Sequence, residues 1–124
     1  HKVAEFNESK VQQLLSNPNI IRNEQKIRAA INNARQFLQI QQQFGNFCNY
    51  IWDFVDGEPV HNEWKSMDEV PTTTEISDTL SKDLKSRGLK FIGSTTIYAH
   101  MQATGLVNDH VTSCFRYQQI RQKY

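Results

Sequence analysis

Apolar residues along most of this chain recur at intervals of three and four, the spacing that puts side chains on one face of an α-helix. The longest such stripe is Ile27, Ala30, Ile31, Ala34, Phe37 and Leu38, extended by Gln41. Asn23 stands where a cap belongs, and Arg22, Lys26, Arg28 and Arg35 fall mostly off the stripe, so a helix over 23–43 is predicted. The four glutamines within Gln39–Gln43 continue its period and read as a solvated helix end. Ahead of it, Val11, Leu14 and Leu15 define a shorter helix, capped by Asn7 or Ser9 and stopped at Ser16-Asn17-Pro18-Asn19. Gly45 breaks the long helix, and Asn46 caps a third, Phe47 to Val55, that ends at the turn Asp56-Gly57. Its aromatics Phe47, Tyr50, Trp52 and Phe54 read as packing in preference to a base-stacking platform.

Residues 58–74 lose the period, and Pro59, Pro71 and Thr72-Thr73-Thr74 mark a long connection docked by Glu63-Trp64 and Met67–Val70. Thr74 then caps a helix to Arg87 carrying Ile76, Leu80 and Leu84. After a turn, Ile97 and Met101 mark a helix from Ser94 to Thr104 that closes at Gly105. A last short helix is predicted over 108–117, followed by a polar, frayed tail over 118–124. No alternation supports a strand. The pattern predicts an all-α fold, a helical bundle.

A chain of 124 residues fits one domain, and a hydrophobic fraction of 38% can build its core despite a mean hydropathy of −0.64. The net charge of +1 excludes a strongly cationic molecule, so any affinity for nucleic acid must come from local clustering. Two cysteines, Cys48 and Cys114, make no disulfide scaffold and point to a reducing, intracellular compartment. No membrane span or signal-peptide pattern is present. The opening His1-Lys2-Val3-Ala4 has no initiator methionine or cap and reads as the interior of a longer chain.

One local cluster stands out. Lys82, Lys85, Arg87 and Lys90 surround the turn between the two last-named long helices, opposed over 82–90 only by Asp83. Gly88 suits the left-handed position that ends a helix, and Gly93 or Ser94 suits the cap that begins one. A helix start offers unpaired N–H groups and a partial positive charge, which favour phosphate. Spacing alone serves equally well an ordinary αα-hairpin with a solvated basic rim.

A second pair is His110 and Cys114, four apart and on one face if helical. Zinc takes such nitrogen and sulfur ligands in tetrahedral sets of four. Cys48, His61, His100 or His1 are the available completions, none with paired metal spacing, so spacing alone favours a buried cysteine beside a surface histidine.

The stretch from Asp78 through Lys85-Ser86-Arg87-Gly88-Leu89-Lys90-Phe91-Ile92-Gly93-Ser94-Thr95, and the stretch Tyr98-Ala99-His100-Met101-Gln102-Ala103-Thr104-Gly105-Leu106-Val107-Asn108-Asp109-His110, closely resemble the DNA-3-methyladenine glycosylase I family. Ile20-Ile21-Arg22, Lys26-Ile27, Ile31-Asn32-Asn33-Ala34-Arg35 and Trp52-Asp53-Phe54-Val55-Asp56-Gly57 resemble it too. The resemblance implies one helix–hairpin–helix domain over 2–117, with 118–124 as tail. It implies an enzyme that flips 3-methyladenine out of alkylated double-stranded DNA and hydrolyses its N-glycosidic bond. Arg87, Gly88, Lys90, Gly93, Ser94 and Thr95 would hold the DNA backbone. The family's structural zinc, with two Cys and two His ligands, would take its C-terminal pair from His110 and Cys114. The family's other two ligands, its pocket glutamate and its stacking aromatics fall ahead of His1.

Tyr98, Ala99 and Gln102, on the helix after the hairpin, are candidates for lining the pocket and equally for the core. No catalytic residue is nominated, since an adenine methylated at N3 is cationic and already a good leaving group. Asn108 stands where broader helix–hairpin–helix glycosylases place an aspartate, and Asp109, on a helix, would point elsewhere. The resemblance further implies a cytoplasmic, nucleoid-associated monomer with no membrane role. The alternatives are a non-catalytic DNA-binding module that keeps the hairpin, and a helical interaction domain without nucleic acid.

Overall fold

The first four helices of this chain begin where a neighbouring side chain takes over an unpaired backbone N–H. The computed structural model describes all 124 residues, His1–Tyr124. Asn7 accepts from Lys10 N (3.0 Å) and opens α1, Glu8–Leu15. Asn23 accepts from Lys26 N (3.1 Å) and opens α2, Glu24–Phe44. Asn46 accepts from Asn49 N (2.7 Å) and opens α3, Phe47–Trp52, which tightens into a 3₁₀ turn at Asp53–Val55. Thr74 and Ser77 form a reciprocal capping box at the start of α4, Glu75–Ser86. α5 runs Ser94–Thr104, and Gly105 ends it in the left-handed conformation. These bounds agree with the sequence reading to within a few residues.

The core is a single cluster where α2, α3, α4 and α5 meet, with Leu80 and Met101 fully buried among Ile40, Tyr50, Leu84 and Ile97. Completely burying a leucine or methionine side chain is worth roughly 1.5–3 kcal/mol, so this shared cluster stabilises the packing of α4 and α5. The stripe on α2 divides. Ile31 is buried, whereas Ala30 and Phe37 are exposed beside a groove of about 640 Å³ shared with Phe47, Leu89 and Ile92. Ile40, off that stripe and inside the stretch read as a solvated helix end, is 1% exposed and part of the core.

Two expectations need correcting. Val60–His61 (β1) and Val107–Asn108 (β2) pair in parallel, Val60 opposite Val107 and His61 opposite Asn108. Two residues are too few to show alternation, so the sequence carries no sign of this strand pair. Nor does a helix begin at Asn108. β2 and a turn occupy 107–114, and the last helix, α6, is Phe115–Lys123, which includes most of the supposed frayed tail. Tyr117 anchors α6 by being buried against the body of the domain. No helix is long and apolar enough to cross a membrane.

Candidate nucleic-acid interface

Residues 87–93 join α4 to α5 and carry the basic cluster. Arg87 N donates to Asp83 O (3.1 Å), Gly88 N to Lys85 O (2.9 Å) and Leu89 N to Leu84 O (3.1 Å), a compact end to α4. Gly88 has φ of 93°, a conformation open to glycine and costly to other residues. Phe91 also has positive φ, 58°, with a bulky side chain that is 57% exposed. A strained aromatic at a turn is uncommon and marks a conformation imposed by its surroundings.

Three neutral side chains impose it. Asn32 Nδ2 donates to Gly88 O (2.7 Å), Asn33 Nδ2 to Lys90 O (2.8 Å) and Ser81 Oγ to Ile92 O (2.7 Å). Lys90 N donates in turn to Asn33 Oδ1 (2.8 Å). The alternate carbonyls of the turn are thus committed to α2 and α4. The N–H groups of Phe91, Ile92 and Gly93 donate to no protein acceptor. Gly93 caps α5 without a side chain, and Ser94 Oγ lies 2.8 Å from Ser77 Oγ, so the first N–H groups of α5 are free as well. Thr95 is exposed on that first turn.

The cations divide into two kinds. Lys82, Lys85 and Lys90 are exposed and in no ion pair. Arg87 is different. It donates to Asp83 (2.7 Å) and to Gln43 Oε1 (2.8 Å), and its guanidinium carbon lies 5.0 Å from the ring centres of both Phe44 and Tyr50. Burial pushes the Asp83 carboxyl up, but hydrogen bonds from Arg87 and Tyr50 outweigh it and hold the carboxyl below its usual range. The hydrogen bond to Asp83 raises Arg87 in turn. Arg87 therefore braces α4 against α2 and α3 and is not a free phosphate ligand.

Beyond α5 the chain builds a different polar centre. The Asp109 carboxylate accepts from Asn62 Nδ2 (2.7 Å), Trp64 Nε1 (2.8 Å), Gln102 Nε2 (2.9 Å) and the Tyr98 hydroxyl. Burial pushes Asp109 up, yet these donors outweigh it and keep the group below the ordinary carboxylate range. Tyr98 is 1% exposed, and burial first, then Asp109, raises its hydroxyl far above normal. Of the candidate pocket residues, then, Tyr98 belongs to the core and Ala99 is exposed. Gln102 borders a cavity of about 890 Å³ together with Asp109, His110 and Cys114. Asn108 is buried, with Nδ2 near His61 Nδ1 (3.2 Å) and its Oδ1 without a partner.

His110 and Cys114 lie in the turn before α6 and not on a helix, yet the turn brings them together. His110 Nδ1 is 3.9 Å from Cys114 Sγ. Zinc bonds of about 2.0 Å to nitrogen and 2.3 Å to sulfur at a tetrahedral angle require about 3.5 Å, so the pair fits one ion with a small adjustment. No group of three metal-binding side chains forms anywhere. Cys48 is exposed on α3, His61 faces Asn108, and His1 and His100 border the 640 Å³ groove.

Sequence reading missed Asn32, Asn33, Ser81 and the role of Asp109. The available signal was two adjacent asparagines in the middle of a helix, where their amides compete with the helix backbone and are tolerated for a reason.

The methyladenine glycosylase family profile matches residues 1–117. DNA-3-methyladenine glycosylase 1 of Escherichia coli (strain K12) is 47% identical over 116 residues, covering 94% of this chain and 62% of that protein. A crystal structure of 3-methyladenine DNA glycosylase I superposes with a TM-score of 0.84 at 49% identity, covering 92% of this chain and 63% of that one. The structure of the Staphylococcus aureus enzyme that describes its recognition of 3-methyladenine superposes with a TM-score of 0.86 at 32% identity, over 92% of this chain and 61% of that one. The chain thus spans about three fifths of the length of the relatives it matches.

Proposed function

Because the chain belongs to the methyladenine glycosylase family, we propose that it carries the DNA-holding part of an enzyme that removes 3-methyladenine from alkylated duplex DNA. The observation that carries this reading is the row of free N–H groups at Phe91, Ile92 and Gly93 beside unpaired Lys82, Lys85 and Lys90. Together with α5 they form a helix–hairpin–helix grip on a backbone phosphate. Gly88 shapes the turn, Gly93, Ser94 and Thr95 supply the helix start, and Lys90 adds charge. The domain is residues 2–117, acting as a monomer on DNA in the cytoplasm, with 118–124 extending α6.

In the reaction, water adds to C1′ of the sugar as the bond to the base breaks. The methylated base departs with the bonding electrons, which cancel its positive charge, and a proton from water is released. No residue of this chain is placed as the base for that proton. Asp109 is occupied by four donors and Asn108 is buried. That occupancy favours a second reading for these 124 residues, a module that binds DNA without releasing base.

His110 and Cys114 are proposed as half of a structural zinc site. A bound zinc would cross-link the turn before α6 to two further ligands. Zinc content at or above about one ion per two chains is expected in the intact full-length protein.

The deciding experiment incubates the full-length protein at low salt with duplex DNA methylated at adenine N3. Release of free 3-methyladenine is the expected result. Salt-dependent binding without release selects the module reading, and absence of binding overturns both.

A further inference from the structure

We propose that Asn33 is a positioning residue for phosphate binding, aiming the hairpin's N–H groups from behind; this inference rests on the DNA-binding reading above. In a trans peptide unit the C=O of one residue and the N–H of the next point in opposite directions. Lys90 O and Phe91 N–H share one unit, and Ile92 O and Gly93 N–H share another. Asn33 on α2 holds Lys90 O (2.8 Å), so Phe91 N–H is turned away from α2. Ser81 on α4 holds Ile92 O (2.7 Å), so Gly93 N–H is turned away from α4. Phe91, left-handed at φ 58°, lies between the two units, the arrangement by which successive N–H groups converge on an anion.

Asn33 contributes more than a single contact. Its amide also accepts from Lys90 N (2.8 Å), so it pairs with both backbone groups of Lys90 and fixes that residue in place. One residue earlier on α2, Asn32 holds Gly88 O (2.7 Å), and the Gln36 side chain lies in ordinary contact with the position a Cβ would take on Gly88. Every side chain in this support is neutral. A carboxylate or an ammonium at the same place would add a charge that acts on phosphate directly. A neutral amide orients the dipoles and leaves the charge count of the surface unchanged.

That distinction gives the test. Duplex DNA binding is measured against salt concentration for the wild type, Asn33→Ala and Lys90→Ala. Asn33→Ala is expected to weaken binding about tenfold at fixed salt, because the turn must be ordered on binding, with the slope of log K against log salt unchanged. Lys90→Ala is expected to reduce that slope by about 1. In the wild type, titrating a short duplex must shift the Phe91 and Gly93 amide resonances, a readout that needs no variant to fold. Asn33→Ala binding within about twofold of wild type, or Phe91 and Gly93 amides that stay still while others move, overturns the positioning role and leaves DNA binding standing. A wild type that binds no duplex overturns both.

Discussion

The hairpin at 87–93 and the centre at Asp109 are both dense in hydrogen bonds, but they settle their accounts in opposite ways. At the hairpin, side-chain donors from Asn32, Asn33 and Ser81 consume carbonyl oxygens and leave backbone N–H groups over. At Asp109, one carboxylate consumes four donors from two parts of the chain and leaves nothing over. The first arrangement leaves donors that only solvent meets in the free protein, and on the proposal above a phosphate takes that place. The second is already complete, and it ties the connection around Asn62 and Trp64 to α5. The number of polar groups does not separate a binding surface from a structural tie; the surplus of donors or acceptors does.

The contrast is broken most severely at Asp109. Asp109→Ala leaves four donors without their acceptor and is expected to cost about 3–4 kcal/mol in urea unfolding. Asp109→Asn should cost about half as much, since its amide oxygen still accepts. A loss below about 1 kcal/mol for the alanine variant would mean that solvent replaces the carboxylate freely. Gly88→Ala forces a Cβ into φ 93° and is expected to cost about 1–2 kcal/mol, with a parallel loss of DNA affinity.

Acid sharpens the role of Asp83. Its folded pKa lies below the unfolded value of about 3.8, so its stabilisation is complete above that value and fades as pH falls through the folded one. Below about pH 4, therefore, the wild-type melting temperature should fall more steeply than that of Asp83→Asn. Parallel curves would deny the Arg87 brace any weight. The smallest effect on stability belongs to Lys90→Ala, within about 0.5 kcal/mol of wild type by thermal unfolding, although its DNA binding changes.

The two regions also differ in how far the sequence reveals them. The hairpin's bounds are local. Thr74, Gly88, Gly93 and Gly105 mark starts and stops within a few residues of the groups they serve, and Leu80, Leu84, Ile97 and Met101 keep helical spacing. The Asp109 centre takes two of its four partners from 45 and 47 residues away, in a connection with no period of its own. Assigning a helix from Asn108 turned Asp109 in the wrong direction, because β2 and the following turn depend on pairing with Val60 and His61. Charge counting had a similar limit at Arg87. It registers a cation near a turn but not the Asp83, Phe44 and Tyr50 that surround it.

The pairing of β1 with β2 sets an order on folding. Val60 N donates to Leu106 O (2.9 Å) and Asn62 N to Asn108 O (3.3 Å), across an intervening segment that holds all of α4, the turn and α5. Closing a loop of that length in a disordered chain costs on the order of 3 kcal/mol, which the roughly 1–3 kcal/mol from two hydrogen bonds does not exceed. The ladder becomes affordable only once the two helices have docked and shortened the path. In refolding followed by pulsed hydrogen exchange, the amides of Val60 and Asn62 should gain protection after those of Leu84 and Met101. The two-residue sheet is then a latch, closed last.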